Sequence, residues 1–242
     1  MKNRNIYIVF FVASIFISLT VYFVYSFDND FLSDSYYTLA QKAVDSKIQH
    51  PFSRVVIDTT KQINGLDLHY ANAEYRLFLP MLGNIMKLDS SQLTRIKFYL
   101  LPFFLFCFLI FLYRQTQNTL LSVLLAATFI SSYVCLCFTH EFLFFDAYAL
   151  LMMSFILLCK NKYLFFVLLF MSFWMDERML LSSGLIILLK IFLETGMITF
   201  KSVFAYIFRN KVFLFAWIIY FLFRIIVTMK CNFYGIPSIY LF

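Results

Sequence analysis

Residues 162–190 read KYLFFVLLFMSFWMDERMLLSSGLIILLK, and the way this stretch is drawn decides the layout of the chain. A bilayer has a hydrocarbon core about 30 Å thick and takes about 20 helical residues to cross. Tyr163 to Leu189 is 27 residues with Asp176-Glu177-Arg178 in the middle. Drawn as one span, it puts three charges at the membrane centre. A charge there costs about 2.5–3.5 kcal/mol even on the gentlest insertion scale. That drawing also leaves Lys162 and Lys190 on opposite sides and reverses the last span. Drawn as a hairpin of two short helices, 163–175 and 179–193, the stretch returns both lysines to one side and carries the charges to its tip. The hairpin is the cheaper reading. With about 13 residues per helix neither leg crosses fully, so the tip lies in a recess below the far surface.

The rest of the chain fits the same solvent. Of 242 residues, 62% are hydrophobic, 21% aromatic and 14% charged; a soluble domain of this size carries roughly 25% charged residues. The reading is an all-α polytopic transmembrane bundle of about seven spans. A signal-anchor span lies in 1–27 (about 6–26). Extracytoplasmic amphipathic helices occupy 28–95. A six-span bundle fills 96–242, with spans near 97–113, 119–139, 142–159, 163–175, 179–193 and 212–229 and an irregular tail from Lys230. The first span lacks a small-x-small cleavage pattern at Val24-Tyr25-Ser26-Phe27, so it reads as retained. Basic residues mark cytoplasmic loops. With the N-terminus cytoplasmic, Arg114, Lys160, Lys162, Lys190, Lys201, Arg209 and Lys211 fall inside. Only Arg178 and Lys230 fall in short outer connections, and of the 13 acidic residues only Glu194 falls inside.

The outer loop has helical periodicity. Ser33 caps a helix with Tyr36, Leu39, Ala40, Ala43 and Val44 in register; a second runs from Phe52 to Ile63; a third, Tyr70 to Met86, is interrupted by Pro80. They read as helices lying along the membrane surface. Asp89 or Ser90 caps the helix that becomes the second span.

Charges recur at one depth. A helix rises about 1.5 Å per residue, which places Asp146 roughly 21 Å from Lys160, Asp176 roughly 21 Å from Lys162 and Lys190, and Arg224 roughly 20 Å from Lys211. All stop short of a full crossing. Either they line a wet cavity open to the outside beneath the loop, or they are ion pairs that lock helices together.

Other chemistries find no pattern. The net charge of +7 is scattered between spans, with no dense basic patch for nucleic acid. The five cysteines lack metal-ligand spacing, His50, His69 and His140 are dispersed, and no serine elbow, glycine-rich phosphate loop or HExxH occurs.

The order of these features resembles the GT-C superfamily of polytopic glycosyltransferases, which use lipid-phosphate-linked sugars outside the membrane. A first span leads to an outer loop with an early acidic residue in Ser33-Asp34-Ser35-Tyr36-Tyr37-Thr38-Leu39-Ala40. Pro51-Phe52 follows, then Tyr75-Arg76-Leu77-Phe78-Leu79-Pro80-Met81-Leu82, similar to an R-x-L-x-P-x-L stretch. A helix opening at Phe145-Asp146-Ala147-Tyr148-Ala149-Leu150 precedes the charged hairpin. The tip departs from the family, where a basic residue usually precedes the Glu, and the family usually continues through ten or more spans. A truncated, degenerate or minimal member is therefore an alternative.

The resemblance implies a bacterial inner-membrane enzyme with membrane lipid, a polyprenyl-phosphate-linked sugar and a glycan or lipid acceptor as partners. It makes Asp34 the candidate general base, against the plainer reading of a carboxylate at a helix N-terminus. It makes Arg76, Arg178 and Arg224 candidate phosphate ligands, since a guanidinium matches phosphate geometry. Glu141, Asp146, Asp176 and Glu177 complete the substrate-binding candidates. Of these Glu141, Asp146 and Glu177 suit sugar hydroxyls or a divalent cation; three dispersed carboxylates define no metal site, and the only cofactor in view is that divalent cation. A small-solute transporter or flippase and a non-catalytic membrane component remain as other readings.

Overall fold

The computed structural model describes residues 2–25, 34–52, 76–139, 145–176 and 178–231. Their regular structure is helical, with no strand among them. In chain order the helices are α1 (Lys2–Tyr25), α2 (Asp34–Gln49), α3 (Phe78–Met86), α4 (Ser90–Thr116) and α5 (Thr119–Phe129). A π-helical turn (Ile130–Val134) leads into α6 (Cys135–Thr139). Then follow α7 (Asp146–Leu158), α8 (Lys162–Met175), α9 (Arg178–Thr195), α10 (Phe200–Arg209) and α11 (Val212–Cys231). Three are long and apolar enough to cross a membrane: α1 over Asn5–Val24, α4, and α11. The helix expected at Phe52 to Ile63, the first part of that expected from Tyr70, and the tail beyond Cys231 lie outside the described residues.

The chain forms two compact units, Met1–Gln41 with Ser90–Leu158 and Lys42–Asp89 with Cys159–Phe242. In the first, α4 packs along α1, α5 and α7. Leu101, Phe104 and Leu105 of α4 meet Val21, Ile130, Phe138 and Ala147 in one core, and Phe10, Leu109 and Ala126 form a second. Helix α4 begins at Ser90, as the capping signal at Asp89-Ser90 implies, and reaches 27 residues with Pro102 inside it. The stretch 119–139 departs from a single regular span. Asn118 accepts from Leu121 N–H and starts α5, and the π turn then inserts extra backbone before α6. Such bulges sit inside otherwise regular helices, and hydropathy does not register them.

In the second unit the 162–190 stretch folds as two helices, α8 and α9, that break at Asp176 and pack against each other. Helix α11 lies against α8 in parallel. Phe165 meets Phe213 at 5.0 Å between ring centroids, and Phe173 meets Tyr220 at 5.4 Å. The offset between partners is nearly constant, so both helices run the same way in step. A single 163–189 span would have reversed the last helix. Helix α3 packs on α8, with Leu79 and Pro80 buried. Pro80 does not interrupt a helix: it lies in the first turn of α3, where its missing N–H has no intrahelical partner to lose. Asn84 Nδ2 donates to the Ile48 carbonyl at the end of α2 (2.8 Å), which fixes α3 against that end. The stretch between the last two spans, expected as a plain connection, contains α10.

In the first unit the buried Tyr148 of α7 donates to the Leu93 carbonyl of α4 at 2.7 Å. Tyr148→Phe is expected to lower unfolding stability in detergent by about 1 kcal/mol. An unchanged denaturation midpoint would show that this bond contributes nothing.

Candidate functional site

Two helices that end against each other leave unsatisfied backbone groups at their junction, and Asp176 resolves this one. Its N–H donates to Ser172 O at 3.1 Å, closing α8, and its carbonyl accepts from Met179 N–H at 2.9 Å, opening α9. Its Oδ1 accepts the Arg178 backbone N–H at 2.8 Å. This local work leaves a carboxylate only 1% exposed, and a buried anion requires cations.

Two arginines supply them. Arg178 grips the carboxylate in a fork, Nε to Oδ1 at 3.0 Å and Nη2 to Oδ2 at 2.6 Å. Arg76 brings Nη2 to 3.6 Å from Oδ2, an ionic contact longer than a hydrogen bond. Arg76 comes from the stretch just before α3. It is held there because Leu77 and Leu79, next along the chain, are buried as α3 docks on α8. Burial pushes the Asp176 carboxyl up, but the Arg76 charge and the Arg178 hydrogen bonds outweigh it and hold the group below the usual carboxylate range. Asp176 is thus ionised at neutral pH and acts as an anchor for guanidinium groups. Arg178 retains 54% side-chain exposure.

Arg224 belongs to the same unit. Its Nη1 donates to Tyr220 Oη at 2.7 Å, one turn earlier in α11. Tyr220 is fully buried and packs on Phe173 and on Trp174 (5.0 Å). Those rings stand three and two residues before Asp176. Further along α11, Phe223 meets Phe170 of α8 at 6.2 Å between ring centroids, so this flank of α11 also faces α8.

The remaining candidates separate. Asp146 is buried in the first unit as the opening residue of α7, where the helix dipole favours a negative charge. Asp34 opens α2, in keeping with a cap at Ser33, but its side chain is not among those described. Glu141 and Glu177 lie outside the described residues. Among the described residues no three His, Cys, Asp or Glu side chains converge as metal donors. Sequence reading passed over three groups. Tyr220 stands at i,i+4 to Arg224, a spacing visible in the sequence. Trp217 donates to Ser183 Oγ at 3.0 Å. Lys97 is completely buried in α4, where its ammonium lies 5.6 Å from the Phe98 ring centroid.

Compared with protein-family models, with curated proteins and with solved structures, the chain matches none.

The cluster separates two roles of one side chain. Asp176→Asn keeps an oxygen for the Arg178 N–H but removes the charge. Asp176→Ala removes both. Asn is expected to cost about 2 kcal/mol, reduced somewhat by solvent screening at Arg178, and Ala more. Equal thermal stability of wild type and Asn would mean that the carboxylate serves only to shape the turn.

Proposed function

We propose that this chain is a seven-span membrane protein with a cytoplasmic N-terminus. In this reading its outward-facing hairpin tip handles the phosphate of a polyprenyl-phosphate sugar, and the chain is an extracytoplasmic glycosyltransferase of the bacterial inner membrane. The observation that carries the reading is the meeting of Arg76 and Arg178 over the buried Asp176. One carboxylate holds two guanidinium groups, and Arg224 is proposed as a third phosphate ligand on the resemblance. Fixed positive charge of this kind suits a phosphate that gains charge as it leaves. Asp176 is engaged on both oxygens, which removes it from proton transfer.

The step itself is a displacement at the anomeric carbon. The acceptor oxygen bonds to that carbon while the carbon–phosphate-oxygen bond breaks. The bonding pair departs with the lipid phosphate, and the acceptor proton passes to a base. Asp34 is proposed as that base on the resemblance of its loop segment to the GT-C pattern. Glu141, Asp146 and Glu177 remain proposed as groups for sugar hydroxyls or a divalent cation.

One observation favours a second reading. The Asp176 charge is satisfied within the chain, as in ion pairs that fasten membrane helices. The tip then serves as a lock in a non-catalytic membrane component.

Transfer of labelled sugar from a polyprenyl-phosphate donor tests the choice. Arg178→Lys keeps the charge but loses the fork, and Arg178→Ala loses both. The enzyme reading expects a graded fall in transfer from wild type through Lys to Ala while protein yield is maintained. Asp34→Asn is expected to lower the rate by about 100-fold or more. Equal rates for wild type and Asp34→Asn eliminate the base. Wild-type protein that transfers no sugar leaves the lock.

Orientation has its own test. On a cysteine-free background, a cysteine at Gln49 is expected to react with a membrane-impermeant thiol reagent in intact cells. One at Lys201 is expected to react only after permeabilisation. The reverse pattern would overturn the topology.

A further inference from the structure

Helix α10 joins the end of α9 to the start of α11. Gly196 closes α9 in the left-handed region, with φ +71°, and its N–H donates to Phe192 O at 2.8 Å. A residue with a Cβ is strained there. Thr199 then opens α10 with a reciprocal capping box: Thr199 Oγ1 accepts from Ser202 N–H, and Ser202 Oγ accepts from Thr199 N–H. Start and stop are both encoded locally, so α10 is an element in its own right.

Its three faces differ. Tyr206 is buried and turns toward Phe213 of α11, 6.3 Å between centroids. Phe200, Phe204 and Phe208 repeat at i,i+4 and stack along the helix at 4.9 and 6.4 Å. They are nonetheless 82%, 49% and 63% exposed. Lys201 and Arg209 occupy a third arc, at about 100° and 180° from Phe200 on a wheel of 3.6 residues per turn; both are exposed. Three phenylalanines in water on a ten-residue helix would be a large apolar patch for its size.

We propose that α10 lies in the headgroup boundary of a lipid leaflet, with the phenylalanine row in the acyl region and Lys201 and Arg209 toward the headgroup phosphates. The occupant is argued from two features beyond the exposed row. Only Asn210 and Lys211 separate α10 from α11, a helix long and apolar enough to cross a membrane, so a leaflet surface lies within reach of α10. The exposed cations stand on the arc beside the row, as in helices that lie in the interface plane, and basic residues are attracted to an anionic leaflet surface. The inference rests on the membrane reading above and adds a lipid-binding element to it.

The test uses the full chain in vesicles of phosphatidylcholine and phosphatidylglycerol, with brominated lipids as quenchers and the signal of native Trp174 and Trp217 subtracted. Phe204→Trp and Ala205→Trp place reporters on adjacent arcs of α10, and Phe223→Trp marks the exposed flank of α11. Shallow-brominated lipid is expected to quench position 204 at least about twofold more than 205, and aqueous iodide to do the reverse. Equal quenching at the two sites, or a reversed order, would overturn the interfacial helix. If position 223 escapes deep-brominated lipid, the membrane reading itself fails. If 223 is quenched and 204 is not, only the present inference falls.

Discussion

The cost of removing a charge from water governs the second unit. An isolated ion in a medium of low dielectric constant loses far more solvation than any one contact returns. Asp176 therefore needs cations within contact distance, and a short turn can provide only one from its own sequence, Arg178. The second comes from Arg76, about 100 residues earlier in the chain. The requirement thus links local and distant structure. α3 packs on α8 through apolar residues, and that packing sets Arg76 beside the anion. Net stability is not what such a cluster supplies, because buried ion pairs often contribute little of it. What this cluster adds is a tie between the segment carrying Arg76 and the hairpin.

A second constraint is aromatic. The α8–α11 interface is made by rings at matched intervals, and edge-to-face pairs favour definite offsets over sliding. Phe165 with Phe213 and Phe173 with Tyr220 fix both the parallel sense and the register. That register decides where Arg224 lies along α8. Helix α11 otherwise reads as a uniform apolar segment, along which Arg224 has no preferred neighbour. Tyr220 gives it one, by packing its ring into the core and accepting a hydrogen bond at its hydroxyl. The chemical character of the tip therefore depends on ring packing one turn below it.

The two constraints explain what the sequence disclosed. The helical hairpin at 162–190 was legible because only a break at Asp176 spares the membrane three central charges. The start of α4 was legible from Asp89-Ser90. The meeting of Arg76 with Asp176 was not, since nothing in the spacing of loop residues states which helix the loop will cover; resemblance named both residues without pairing them. The π turn at 130–134 was hidden because hydropathy averages over backbone hydrogen bonding. Helix α10 was overlooked because its basic residues, counted as markers of a cytoplasmic connection, drew attention from the phenylalanines between them. Tyr220 escaped because one tyrosine among 16 carries no signal until a partner four residues away is considered.

The division of labour at the tip limits the chemistry it can perform. A carboxylate that caps a helix, accepts a guanidinium fork and faces a second cation has its lone pairs committed, and its proton affinity falls accordingly. It is a poor base and a poor acid, and a good support for arginine. Any proton transfer in a reaction at this tip must come from another group. The cluster carries one more positive than negative charge, because one anion holds two cations in place.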